Sequence, residues 1–138
     1  MPSKFKLEII TPERTFYSGD VESIVIPTPD GQMGIWKGHE PIAAAIEIGV
    51  VKLLIDGKWV ECATSEAFME VRPDETLIFA QSMEWPEEID VVRAQAAKER
   101  AEERLRQQRS YQDYMQSKIS LARAMTRLKV GRRPANLD

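Results

Sequence analysis

Short apolar runs fill the first half of the chain. LEII (7–10), SIVIP (23–27), VVKLLI (50–55), WVECAT (59–64), FMEVR (68–72) and TLIFAQ (76–81) are rich in β-branched and aromatic residues. Turn signals separate them: TPE, PTPDG, IDGK and RPDE. This pattern predicts β-strands. VVKLLI-DG-KWVECA predicts a hairpin, because Asp56-Gly57 suits a type I′ turn. No helical period interrupts these strands, which argues against a parallel α/β sheet and for an all-β sandwich or barrel.

The period changes near Trp85. Pro86 stands where a helix tolerates proline, in its first turn, and Glu87, Glu88 and Asp90 suit the positive end of the helix dipole. Val91, Ala94, Ala97, Ala101 and Leu105 recur at helical spacing. The stripe is small-residued, so a second helix could approach closely. QQRSYQD reads as a break. A second amphipathic segment follows through Tyr111, Tyr114, Met115, Leu121, Ala122, Met125 and Leu128, with Gly131 expected to stop it. The pattern gives a β half over 1–85 and an antiparallel two-helix hairpin over 86–138. Helices with such narrow apolar stripes depend on tertiary packing. The hairpin is therefore a candidate for a mobile element.

Charge supports the same division. Acids outnumber bases two to one up to Glu84, and bases outnumber acids beyond it. The stretch from Tyr114 to Asp138 holds six basic residues and one acid. The whole chain is acidic, at net charge −3. The tail's only aromatics, Tyr111 and Tyr114, precede its basic cluster, which disfavours nucleic acid as a partner. No run approaches a membrane span and no apolar signal stretch opens the chain. A single cysteine, Cys62, points to a reducing compartment.

Catalytic chemistry is poorly represented. His39 and Cys62 are the only residues of their kinds. A structural zinc site is not expected, and Cys62 between strand neighbours reads as a packed thiol. There is no phosphate-loop or dinucleotide glycine signature. GQMGIWKGHEP reads either as a loop needing glycine geometry or as a contact loop. The helical half is more informative. Arg123 and Arg127 share one helix face, and Asp90 and Arg93 share another. They form either a ligand constellation or a solvated basic face beside a local Asp90–Arg93 salt bridge.

Several stretches together resemble the epsilon subunit of bacterial and chloroplast F-type ATP synthases. They run from LEIITPERTFYSGDVESIVIPTPDGQMGI through GHEPIAAAIEIGVVKL and FMEVRPDETLIFA to EEIDVVRAQAAKERAEERL and LARAMTRLKV, in the family's order. The resemblance implies an N-terminal β-sandwich and a C-terminal helical hairpin. It implies a non-catalytic rotor subunit on the central stalk, at the cytoplasmic face of the bacterial plasma membrane. There it would help couple proton or sodium flow to ATP synthesis. Its partners would be the gamma subunit, the c-ring and the alpha/beta catalytic head, which the extended hairpin can inhibit. Asp30, Gly31, Gln32 and His39 resemble the part that meets the c-ring and the foot of gamma. This sequence departs there: Trp36-Lys37 replaces a Leu-Pro-like pair, Glu40 an alanine, and SEAFMEV a Ser-Gly-Gly stretch. Lys118, Arg123, Arg127, Lys129, Arg132 and Arg133 would meet acidic segments of the beta subunits.

The family's I/L-D-x-x-R-A motif, which marks a regulatory ATP site in several bacterial members, reads here Ile89, Asp90, Val91, Val92, Arg93, Ala94. By resemblance, Glu84, Asp90 and Arg93 would contact the nucleotide from the sandwich–hairpin junction. Arg123 and Arg127 would come from the second helix, and Mg2+ is an optional companion. The alternative is a free-standing sandwich and hairpin that binds another acidic partner.

Overall fold

The computed structural model describes residues 3–107 and 109–132. Ten strands form two five-stranded sheets. One sheet runs in the order β2 (Thr15–Val21), β1 (Phe5–Ile10), β9 (Glu75–Ala80), β8 (Ala67–Val71), β5 (Ile42–Ile46). The other runs β10 (Met83–Glu84), β7 (Lys58–Thr64), β6 (Gly49–Ile55), β3 (Ser23–Thr28), β4 (Gly31–Trp36). The sheets face each other as a sandwich rather than closing into a barrel. Pairing is antiparallel except between β1 and β9, which run parallel.

Alternation builds the core. Leu7 and Ile9 of β1, Ile24 and Ile26 of β3, and Val51 and Leu53 of β6 are fully buried, while Glu8, Val25 and Lys52 between them are not. Each fully buried aliphatic side chain contributes about 1.5–3 kcal/mol. The β6–β7 hairpin closes through Asp56 and Gly57 at φ 50° and 78°, the paired positive angles of a type I′ turn. The stretch GQMGIW is not a loop. It forms edge strand β4, paired with β3 from Thr28↔Gly31 to Ser23↔Trp36.

The start of the helical half also differs from expectation. Pro86–Glu88 forms a separate 3-10 turn, and α1 spans Val91–Gln107. Ile89 between them is extended, at φ −82° and ψ 124°. Its side chain turns inward to pack with Ala63 of β7 and Val130 of α2. That burial outweighs the helix propensity of the acidic run.

Helix α2 spans Tyr111–Gly131 and starts at Ser110, whose hydroxyl accepts the Asp113 N–H. The hairpin closes through small residues: Ala94 and Ala101 on α1, Ser117 and Ala124 on α2 are buried. Tyr111, Tyr114, Met115 and Met125 of the expected stripe point to solvent instead. The seam follows the residues that allow close approach, and of the larger side chains in that stripe Leu128 is buried.

The hairpin lies folded against the sandwich, with α2 packed on β6, β7 and the 3-10 turn. Val130 is fully buried in a satellite core with Ala63 and Ile89, flanked by Val50 and Val91. Gly131 does not stop α2 through a left-handed bend. It is the last helical residue, and Arg132 continues in right-handed geometry at φ −86°. What Gly131 supplies is space: a Cβ there would lie 2.8 Å from Ile89 Cγ2.

Candidate functional site

Where the 3-10 turn, the start of α1 and the C-terminal part of α2 meet, they enclose a cleft of about 430 Å³. Glu84 of β10 and Glu88 of the turn line one side. Asp90, Arg93, Ala94 and Ala97 line the second, and Arg127 of α2 reaches in from the third. Four of the residues expected to act together, Glu84, Asp90, Arg93 and Arg127, therefore share one cavity. Ala94 forms part of its floor.

Asp90 is not salt-bridged to Arg93. Its Oδ1 accepts the backbone N–H of Arg93 at 3.0 Å, and its carbonyl accepts the N–H of Ala94 at 2.9 Å. These are the contacts of an N-cap, which satisfies donors that the first helical turn leaves open. The Arg93 guanidinium makes no ion pair among the described residues and lines the cleft. Arg127 Nε donates to Glu84 Oε1, so this pair ties α2 to the end of the sandwich.

Two expected members stand elsewhere. Ile89 is buried in the satellite core, where it anchors the chain entering α1. Arg123 lines an adjoining crevice with Thr64, Ser65, Ser82 and Thr126. That crevice measures about 10 Å³, enough for about one water and far too small for a nucleotide. The Nε of Arg123 is buried there without a hydrogen-bond partner among the described residues.

Three residues escaped the sequence reading of the site: Glu88 and Ala97 in its lining, and Arg14 behind it. Glu88 lines the cleft, accepts the Trp85 N–H at 2.9 Å, and pairs with Arg14 Nη2 at 2.8 Å. The Arg14 contact and the Trp85 hydrogen bond hold its carboxyl below the usual carboxylate range, against the opposing effect of burial. The i to i+3 spacing of Trp85 and Glu88 was a usable signal for the capping contact. Nothing in the sequence signalled Arg14, which comes from the β1–β2 turn.

The other expected contacts are dispersed. Asp30 lies in the turn before β4, where its N–H donates to Thr28 Oγ1 at 3.2 Å, and Gly31 opens the strand. Gln32 lies beside them, exposed. His39 follows the opposite end of β4, about 20 Å away at strand rise. It borders a separate cleft of about 220 Å³ with Lys4, Lys6, Trp36 and Arg72. Among the tail residues, Lys118 sits over the Tyr114 ring and Arg132 donates to Gln95 at 2.8 Å. Lys129 is exposed. Arg133 lies outside the described residues. Cys62 is fully buried, and burial pushes its thiol far up, so it is no nucleophile. Among the described residues no cluster of His, Cys, Asp or Glu is arranged to hold a metal. No described helix is long and apolar enough to cross a membrane.

The two halves match two consecutive family models. Residues 4–86 match the β-sandwich domain of the ATP synthase delta/epsilon chain, and residues 87–131 match its long α-helix domain. The chain belongs to the ATP synthase delta/epsilon family. It is 50% identical over 131 residues to the ATP synthase epsilon chain of Caldanaerobacter subterraneus subsp. tengcongensis, covering 94% of this chain and 95% of that one. It is 44% identical over 129 residues to the ATP synthase epsilon chain of Ruminiclostridium cellulolyticum, covering 94% and 96%. A chain in the cryo-EM structure of Euglena gracilis mitochondrial ATP synthase superposes with a TM-score of 0.81 at 23% identity, covering 94% of this chain and 81% of that one. That likeness concerns the fold. An epsilon chain is a non-catalytic subunit.

Proposed function

We propose that this chain is the epsilon subunit of an F-type ATP synthase, and that its hairpin binds ATP as a regulatory ligand when folded down. On this reading the sandwich meets gamma and the c-ring on the central stalk. The hairpin either docks on the sandwich or extends toward the alpha/beta head and inhibits ATP hydrolysis.

One observation carries the nucleotide reading: the cleft has walls from both halves. Arg93 stands on α1, Arg127 on α2 and Glu84 on the last strand. A ligand held by all three binds the folded-down state and loses its site when α2 leaves. It then stabilises docking by its difference in affinity for the two states. Arginine forks suit phosphate oxygens. The volume of about 430 Å³ suits a nucleotide-sized ligand. Asp90 keeps one carboxylate oxygen available for base or sugar while the other caps α1.

Calorimetric titration of ATP into the full chain tests the reading. Wild type binds, and Arg93→Gln and Arg127→Gln each weaken binding about tenfold or more, the size of one lost charge-assisted contact, without lowering the melting temperature of the sandwich. Affinity that survives both substitutions removes ATP from this cleft. Co-purification with gamma and the catalytic head tests the stalk assignment separately.

A further inference from the structure

The cleft's own walls are too acidic for a polyphosphate. Glu84, Glu88 and Asp90 line it together with Arg93 and Arg127, one negative charge in excess. A nucleotide would bring several more, and like charges in a partly desolvated cleft repel strongly. The correction comes from outside. Arg14 does not line the cleft. It reaches from the β1–β2 turn to the back of Glu88, with Nη2 at 2.8 Å from Oε1. The same nitrogen lies 3.4 Å from the Met83 carbonyl.

The arrangement is braced. The Arg14 guanidinium lies 5.2 Å over the Phe16 ring, and Phe16 stacks on Trp85 at a centroid distance of 4.2 Å. Trp85 in turn donates its N–H to the same Glu88 oxygen. Two donors thus hold one oxygen of Glu88 from the sandwich side. One wall charge is cancelled without any group occupying the cleft.

We propose that Arg14 is a specificity-determining residue of the cleft: by neutralising Glu88 from behind, it sets how much ligand charge the cleft accepts. The inference rests on the nucleotide reading above. It predicts that the effect of Arg14 scales with the number of phosphates, because Arg14 acts through charge and touches no ligand atom.

The test is calorimetry with ATP, ADP and AMP on the full chain. Arg14→Gln weakens ATP about tenfold, ADP less and AMP least, and the loss shrinks as salt rises. The double variant Arg14→Gln/Glu88→Gln returns to within about threefold of wild type, since glutamine keeps the capping acceptor and drops the charge. Arg14→Lys, which keeps the charge, stays near wild type. Four results overturn the inference: an unchanged Arg14→Gln, an equal loss for all three nucleotides, no rescue by Glu88→Gln, or a full loss in Arg14→Lys. The second and third are what a purely structural bracing role would give. If Arg14→Gln does not fold, the lysine variant and the Glu88→Gln single variant decide. The latter binds ATP at least as tightly as wild type, and a weakened Glu88→Gln sinks the inference. A flat wild-type titration is distinct from all of these. It overturns the nucleotide reading and this role with it.

Discussion

Gly131→Ala is the sharpest perturbation of the docked hairpin. A Cβ at 131 meets Ile89 Cγ2 at 2.8 Å, Val91 Cγ2 at 3.1 Å and Ile89 Cβ at 3.2 Å. Both neighbours are β-branched, with one strongly preferred χ1, so neither can swing aside cheaply. Ile89 is itself held in the satellite core with Ala63 and Val130. Overpacking of this kind costs about 1–3 kcal/mol. Alanine also improves helix propensity by about 1 kcal/mol over glycine. That gain accrues in docked and released states alike, provided α2 stays helical, so it cancels from the equilibrium between them. The docked-to-released ratio should therefore fall by roughly 5- to 150-fold, the clash alone.

Distances between spin labels at Lys58→Cys on the sandwich and Lys118→Cys on α2, both exposed positions, read that ratio. Buried Cys62 should stay unlabelled. Gly131→Ala should shift the distribution away from the docked distance while helix content by circular dichroism holds or rises. An unchanged distribution together with a raised melting temperature would mean that only propensity responded, and that Gly131 is not a packing requirement.

Three further outcomes follow from single contacts. Val130→Ala removes a fully buried side chain from a core of three buried residues, and should destabilise docking by about 1–3 kcal/mol in the same distance assay. Asp90→Ala should cost about 1 kcal/mol of α1 stability and speed amide exchange at Arg93, whereas Asp90→Ser should restore protection because serine caps equally well. Glu88 has a lowered folded-state pKa, so the Arg14–Glu88 contribution is present above the unfolded carboxylate value and is lost as pH falls below about 4.3 through the folded value. Melting temperatures from pH 6 to 3.5 should drop less steeply for Glu88→Gln than for wild type, and parallel curves would contradict the assignment.

The central strands were legible because their side chains alternate against a core on one face. β1, β3, β6 and β8 carry that signature, while β7 and β9 were legible as short apolar runs. The four strands that the pattern missed are β2, β4, β5 and β10, and all four are sheet edges. An edge strand pairs on one side only, and polar or small residues there guard against further pairing. TFYSGDV and GQMGIW therefore look like loops while their backbones complete the ladders. The helical half was legible in part. The small-residued stripe of α1 lies in the seam through Ala94 and Ala101, and Leu128 of the α2 stripe is buried. The large residues Tyr111, Tyr114, Met115 and Met125 of α2 point outward instead, and Ser117 and Ala124 meet α1. On α2, periodicity finds an apolar face without telling which of its residues make the close approach.

The site was legible in its residues and not in its wiring. The spacing of Asp90 and Arg93, read alone, fits a salt bridge. The coordinates give Asp90 to the backbone and leave the Arg93 side chain to the cleft. Arg123 and Arg127 share a helix face, yet only Arg127 lines the larger cavity. Arg14 is remote in sequence from Glu88, and only the folded sandwich brings the two to 2.8 Å.

Two of the contacts that hold the hairpin on the sandwich differ in chemistry, and their strengths bear on whether a ligand could act as a switch. At the end of α2, Val130 seats in an apolar socket. Burying one valine contributes about 1.5–3 kcal/mol. Nearer the middle, Arg127 pairs with Glu84, both partly exposed, so this contact adds about 1 kcal/mol or less. A ligand that binds only the docked state at a hundred times its dissociation constant contributes about 2.7 kcal/mol. That is as large as the valine socket and larger than the ion pair. Docking strong enough to be permanent would make the ligand irrelevant, and docking by the ion pair alone would leave the hairpin released without it. On the reading proposed above, an apolar socket centred on Val130, with Gly131 beside it to permit the fit, leaves the unliganded balance within reach of a nucleotide in the cleft.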